Sequence, residues 1–133
     1  MATATILVVE DDAIQREGLR TVLERQGYFV TLTVSPAEAL ARLSEGLAPD
    51  LILLAMLFPR VPAGDGWAFL RERQRRPDIA AVPVLLMTVV GKGPAWAASL
   101  GAEGYLRKPM DVEPLLTEVR RLLMGRLAAP GGP

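Results

Sequence analysis

The chain has 133 residues, half of them hydrophobic, and its 15 basic residues balance its 15 acidic residues. This length and composition predict a single globular domain with one sizeable core. The balanced charge, with a pI near 6.3, gives no electrostatic basis for binding nucleic acid or an anionic membrane.

Cysteine and histidine are both absent from the sequence. The lack of cysteine excludes disulfides and thiolate metal sites and is typical of a reducing cytoplasm. The lack of histidine excludes imidazole general bases. The N-terminus shows no signal-peptide pattern, and no apolar run approaches the roughly 20 residues of a membrane span. The sequence therefore predicts a soluble cytoplasmic domain.

Short apolar runs alternate with segments of helical periodicity along the chain. The run at residues 50–55 has no polar alternation, which is typical of a strand buried on both faces of a parallel sheet. Ser35 and Glu38 form a capping box that opens the second helix, and Gly27 follows the end of the first. The predicted strands are residues 5–9, 28–34, 50–55, 82–88 and 104–106. This order predicts a doubly wound α/β domain with helices on both faces of the sheet.

Right-handed crossovers place the carboxyl ends of the first, third, fourth and fifth strands at one edge of the sheet. The residues at these ends are Glu10, Asp11, Ala55, Thr88 and Lys108. Two adjacent carboxylates can hold a Mg²⁺ ion, and a hydroxyl with an ammonium group can position and neutralise a phosphoryl group. The set lacks a nucleophile, because an alanine stands between the acid pair and the lysine.

Several short motifs lie on these strand ends or close to them. They are Val8-Val9-Glu10-Asp11-Asp12, Pro49-Asp50-Leu51-Ile52-Leu53-Leu54, Pro59, Asp65-Gly66, Leu86-Met87-Thr88, Gly101-Ala102 and Tyr105-Leu106-Arg107-Lys108-Pro109. In this order, and over almost the whole chain, they resemble the receiver domain of two-component response regulators. The resemblance implies a flavodoxin-like (βα)5 fold whose five-stranded parallel sheet has the order 2-1-3-4-5. It also implies a role in phosphorelay signalling and no enzymatic activity.

The resemblance assigns the metal and phosphoryl positions residue by residue. Glu10 and Asp11 match the acid pair, with Asp11 as the direct Mg²⁺ ligand, and Leu57 matches the residue that lends a backbone carbonyl to the metal. Ala55 matches the phosphoacceptor aspartate, so a methyl group replaces the reactive oxygen. Because one carboxylate of the metal-binding set is missing, we expect that the domain requires no cofactor and binds Mg²⁺ only weakly.

The resemblance also assigns the residues that respond to a phosphoryl group. Thr88 matches the switch hydroxyl, Tyr105 the switch aromatic, and Lys108 the cation that pairs with the phosphorylated carboxylate. The Lys108–Pro109 link resembles the cis peptide bond of the family. Without a phosphoryl group to meet, Lys108 is expected to form a structural ion pair with Asp11 or Glu10.

Two loops and one side chain depart further from the family pattern. The loop from Ala55 to Gly66 is longer than usual, and the segment from Thr88 to Lys108 is shorter, which shortens the fourth helix. Val89 is bulkier than the small residue usual after the switch hydroxyl and is expected to narrow access to the pocket. The fourth helix, fifth strand and fifth helix, which relatives use for partner binding, are therefore expected to be remodelled.

Three interpretations of Ala55 remain open. The favoured one is a degenerate receiver that contacts a histidine kinase or a downstream signalling protein without phosphorylation. Such a receiver would have no direct contact with nucleic acid or membrane. This interpretation also allows a homodimer through the fourth helix, fifth strand and fifth helix. The second interpretation is an ordinary receiver with an engineered aspartate-to-alanine change. The third is a small-ligand-binding flavodoxin-like domain, although no glycine-rich phosphate loop follows the first strand.

The remaining segments are given structural roles. The receiver-like domain is expected to span residues 1–126, followed by a disordered Pro/Gly-rich tail at residues 127–133. Trp67 and Trp96 are interpreted as packing residues. The basic run on the third helix is interpreted as a solvated face; its members are Arg71, Arg73, Arg75 and Arg76.

Overall fold

The computed structural model describes residues 3–55, 65–89 and 92–128. Over these ranges the strands are β1 (Thr5–Val9), β2 (Phe29–Thr33), β3 (Leu51–Ala55), β4 (Val84–Thr88) and β5 (Gly104–Arg107). The helices are α1 (Ala13–Arg25), α2 (Pro36–Ser44), α3 (Asp65–Arg75), α4 (Pro94–Ser99) and α5 (Val112–Ala128). None of the helices in this part of the chain is long and apolar enough to cross a lipid bilayer.

The strands form one parallel sheet of order β2-β1-β3-β4-β5, which confirms the predicted fold. The sheet separates two apolar clusters. One contains Leu43 of α2, Phe69 of α3 and Ala97 of α4, and the other contains Leu23 of α1 and Val119 of α5. All five side chains of β3 and of β4 are buried, because helices cover both faces of the central strands.

The helix ends follow the capping chemistry of the sequence. The Asp12 side chain accepts a hydrogen bond from the Gln15 N–H at 2.9 Å and caps α1. At α2, Ser35 Oγ accepts from the Glu38 N–H at 3.1 Å. The Glu38 carboxylate accepts in return from the Val34 N–H at 2.7 Å, so the capping box closes one residue before the N-cap.

Element boundaries differ from the sequence predictions in two places. β4 begins at Val84, because Pro83 has no N–H to donate to a ladder. α5 continues to Ala128 and thus includes residues 127 and 128, which the sequence assigned to the tail. The remaining tail residues lie outside the described part of the chain.

Gly104 lies in β5 where the strand packs closely against α5. A Cβ atom at this position would lie 2.8 Å from Leu122 Cδ1 and 2.9 Å from Leu85 Cδ1. Leu122 and Leu85 are both buried, so a larger residue would push two core side chains aside. Glycine therefore allows the last strand to pack directly on the last helix.

The interpretation of the α3 basic run as a solvated face is wrong for Arg73, whose residue surface is only 3% exposed. Its guanidinium donates to the carbonyl oxygens of Val82 at 2.9 Å and Gly101 at 2.7 Å, and to both carboxylate oxygens of Glu103 at 2.9 Å. Glu103 also accepts from the Val84 N–H at 2.8 Å. Arg73 therefore ties α3 to the segments that lead into β4 and β5.

Truncating Arg73 should destabilise the domain far more than truncating a neighbouring arginine. Arg73→Ala leaves two carbonyl groups without their donor and the Glu103 carboxylate without its cation, at an expected cost of about 2–4 kcal/mol in the free energy of unfolding. Arg75→Ala, at an exposed position of the same helix, should change it by about 0.5 kcal/mol or less. Urea unfolding followed by circular dichroism measures both values. Equal effects of the two variants would contradict this role of Arg73.

Candidate functional site

The carboxyl ends of the central strands meet at one edge of the sheet. Leu54 pairs with Val9, so Ala55 lies level with Glu10, the residue that follows β1. Ala55 also pairs with Met87, directly before Thr88. This register brings the predicted strand-end residues to a common edge.

The centre of this edge is an ion pair between Glu10 and Lys108. The Glu10 residue is 1% exposed, and the Lys108 Nζ donates to its Oε1 at 2.6 Å. The second carboxylate oxygen of Glu10 accepts from the Asp12 N–H at 3.1 Å. The predicted structural ion pair of Lys108 is thus observed, with Glu10 as the partner.

Two further bonds fix the lysine and the loop around it. The backbone N–H of Lys108 donates to the Thr88 carbonyl at 2.8 Å, which continues the β4–β5 pairing beyond the strands. The Lys108–Pro109 peptide bond is cis, as the resemblance implied. The Lys108 side chain is only 13% exposed, so its ammonium group is largely withdrawn from solvent.

Arg16 is a residue that the sequence reasoning missed. Its Nη1 donates to the backbone carbonyls of Glu10 at 3.0 Å and Asp11 at 3.2 Å. These two hydrogen bonds hold the acidic loop against the beginning of α1. The sequence signal that could have indicated this role is an arginine five residues after Asp11, on the helix that directly follows the acid pair.

Ala55 and Thr88 end their strands inside the protein. Ala55 is 1% exposed and belongs to the apolar cluster that includes Val8 and Met87. Thr88 is fully buried. The methyl group of Ala55 therefore contributes packing at this edge and offers no oxygen from its side chain.

Glu10 already shares one oxygen with Lys108 and the other with the Asp12 N–H. Within the described ranges, no group of three or more acidic side chains gathers in a geometry that could hold a metal ion. Leu57, to which the resemblance assigned a metal-binding carbonyl, lies outside those ranges, as do Pro59 and Pro62.

Comparison with known proteins identifies the family. The family model for the response regulator receiver domain matches residues 6–120. The chain is a response-regulator receiver domain. Curated relatives include a DNA-binding dual master transcriptional regulator, RpaA of Synechocystis, at 36% identity over 120 residues, and the response regulator MprA of Mycobacterium at 37%. These matches cover 89% of this chain but only 48% and 50% of the relatives, so the receiver domain spans about half their length.

Solved structures agree with this assignment. The signal receiver domain of a histidine kinase from Syntrophus aciditrophicus superimposes with a TM-score of 0.81 at 33% identity, covering 97% of this chain and 96% of that one. The chemotaxis response regulator CheY4 of Vibrio cholerae has a TM-score of 0.79 at 26% identity, covering 91% of this chain and 99% of that one. The chain is therefore a receiver domain of a two-component system.

In this receiver domain the predicted switch aromatic belongs to an aromatic cluster. The ring centroids of Tyr105 and Trp96 lie 6.3 Å apart, and those of Trp96 and Trp67 lie 6.2 Å apart. All three side chains are half-buried against the core cluster on the α2–α3–α4 side of the sheet. The interpretation of both tryptophans as packing residues agrees with these contacts.

Val89 follows the buried end of β4 and is 53% exposed. It lies at a groove of about 440 Å³ between α1 and α5, whose floor is mostly apolar and includes Leu19 and Leu115. Lys108 and Pro109 line the same groove, so the ion pair and this surface are neighbours.

The Glu10–Lys108 pair should stabilise the fold strongly because Glu10 is buried. Lys108→Met leaves that carboxylate without its cation, and the free energy of unfolding should fall by about 3–5 kcal/mol. The double variant Glu10→Gln/Lys108→Met should recover part of this loss, with a coupling energy of about 1–3 kcal/mol. Urea unfolding of the four proteins in this cycle gives the coupling.

Lys92 is the other lysine of the chain and is exposed, so it provides a matched control. Lys92→Met should change the free energy of unfolding by about 0.5 kcal/mol or less. If Lys108→Met behaves like Lys92→Met, the ion pair does not stabilise the domain.

Proposed function

We propose that this receiver domain signals by docking to protein partners without accepting a phosphoryl group. The observation that carries the proposal is the side chain at the end of β3, where Ala55 places a buried methyl group beside the acid loop. Phosphoryl capture by this family uses a carboxylate oxygen as the attacking atom, and a methyl group has no electron pair to donate. The domain is accordingly proposed to be a degenerate, phosphorylation-independent receiver.

The ion pair at the site supports the same proposal. Lys108 would neutralise a phosphoryl group if its ammonium were available, but here it donates to Glu10 at 2.6 Å. In the absence of an acceptor, the cation has an anionic partner inside the protein. The pocket therefore has a stable arrangement that needs neither phosphate nor metal.

Mg²⁺ is proposed to be dispensable and weakly bound. Asp11 is the residue that would ligate it directly, with Glu10 and the carbonyl of Leu57 as further donors. Each carboxylate oxygen of Glu10 already accepts a hydrogen bond, and the Ala55 side chain provides no oxygen. A hard divalent cation needs six or so oxygen ligands, so water would have to supply most of the shell.

The partners are proposed to be proteins: a histidine kinase or a downstream signalling protein, met in the cytoplasm. RpaA is named as a DNA-binding regulator, but this chain matches only about half of it. Direct binding to nucleic acid or membrane is not part of the proposal, because the net charge is zero. The proposal also allows two copies of the chain to form a homodimer through α4, β5 and α5.

The phosphorylation test uses acetyl phosphate and Mg²⁺ with intact-mass spectrometry. The chain with Ala55 should gain no acid-labile phosphoryl group, while a receiver domain that carries the acceptor aspartate confirms that the donor is active. Stoichiometric phosphate on any aspartate, including Asp65, would overturn the proposal. Ala55→Asp tests the second interpretation of the sequence: Mg²⁺-dependent phosphorylation of that variant is expected if alanine replaced a natural aspartate in an otherwise competent pocket.

The docking test is an affinity pull-down from the source cytoplasm with the chain and its Ala55→Asp variant, each with and without phosphodonor. The chain with Ala55 should retain the same partners at the same yield in both conditions. Partner recovery that depends on the phosphodonor for this chain would contradict phosphorylation-independent docking.

A further inference from the structure

Three aromatic rings connect α3, α4 and β5. Trp96 of α4 lies between Trp67 of α3 and Tyr105 of β5, with centroid distances of 6.2 Å and 6.3 Å. Both pairs have an interplanar angle of 90°, the edge-to-face arrangement in which the positive edge of one ring meets the negative face of the next. We call these three residues the aromatic stack.

The short helix α4 depends on this stack for its position. It has six residues, and its N-cap residue is Gly93, which has no side chain that could cap the helix by a hydrogen bond. A helix of this length has no stability of its own in water and is held by tertiary packing. Among the described residues of α4, Ala97 is the buried one, and Trp96 is the large side chain that packs against the core.

Tyr105 depends on the same contact. The tyrosine is only half-buried, so solvent is accessible on one side of its ring. It also lines a surface groove of about 500 Å³ with Pro94, Leu106 and Pro114. The shape of that groove therefore follows the position of the Tyr105 ring, and Trp96 is the aromatic neighbour that fixes the ring from the α4 side.

We propose that the aromatic stack is a packing lock that holds Tyr105 and α4 in one arrangement. Trp96 is the positioning residue of this lock. The inference rests on the proposed function in one respect: a receiver that docks without phosphorylation needs its α4–β5 surface to be permanently formed. Trp67 extends the lock to α3, so β5 is coupled through side-chain packing to a helix on the other side of α4.

Fluorine NMR of the chain labelled with 3-fluorotyrosine tests the lock directly. The sequence contains two tyrosines, Tyr28 and Tyr105, so two resonances are expected and Tyr28→Phe assigns them. In the chain without further substitution, the Tyr105 resonance should be single and narrow. Addition of acetyl phosphate and Mg²⁺ should leave this resonance unchanged.

Removing the central ring should release Tyr105. Each edge-to-face pair corresponds to roughly a 2- to 12-fold factor in an equilibrium constant, so Trp96→Ala should broaden or split the Tyr105 resonance. Trp96→Phe, which keeps a smaller ring in place, should restore most of the single line. Trp67→Leu should broaden the Tyr105 resonance less than Trp96→Ala does. This variant removes the ring that packs against Trp96 but leaves the Trp96–Tyr105 contact in place.

Phe69→Leu is the matched control for general destabilisation. Phe69 is fully buried in the same core cluster but is not a member of the stack. This variant should lower stability and leave the Tyr105 resonance narrow, and the Tyr28 resonance reports in every variant that the domain is folded. A Tyr105 line that is already split in the natural sequence, or that Trp96→Ala and Phe69→Leu affect equally, would overturn the lock.

The outcome is separable from the test of phosphorylation. The fluorine measurement needs no partner, and its readout is the conformation of one ring. A phosphorylated aspartate with an unchanged Tyr105 line would refute the proposed function and keep the lock. An unphosphorylated chain with a split Tyr105 line would refute the lock and leave the proposed function standing.

Discussion

A carboxylate that is removed from water needs a partner, because the desolvation cost is several kcal/mol per ion. Glu10 is such a group, and Lys108 supplies the charge that compensates it at 2.6 Å. The two residues are far apart in sequence, so their contact joins the loop after the first strand to the turn after the fifth. Arg16 holds the same loop from behind through its carbonyl groups. The arrangement of the whole sheet edge depends on this satisfied ion pair.

The proposed function follows from what this edge contains and what it does not. Ala55 turns the end of β3 into part of the apolar core, and Lys108 is already engaged. A signal that begins with a phosphoryl group has no acceptor at this position. The surface formed by α4 and β5 then has to be stable by packing alone, which is the role proposed for Trp96 and its two aromatic neighbours.

The fold was predictable because its signals are local. Apolar runs without polar alternation identified the central strands, and Ser35 with Glu38 identified the start of α2. The edge residues followed from the general rule for parallel sheets. The role of Arg73 was not predictable, because the arginines of one basic run look alike in sequence and only the packed structure shows which one is buried. Arg16 was missed for a similar reason, since its partners are backbone carbonyls that carry no sequence signal.

The missing side chain at Gly104 has a consequence for how the surface around the last strand moves. With Leu122 and Leu85 filling the space a Cβ would occupy, no gap remains between strand and helix. Moving α5 toward β5 would press Leu122 against the backbone of Gly104. A change in the spacing of these two elements therefore requires Leu122 to repack.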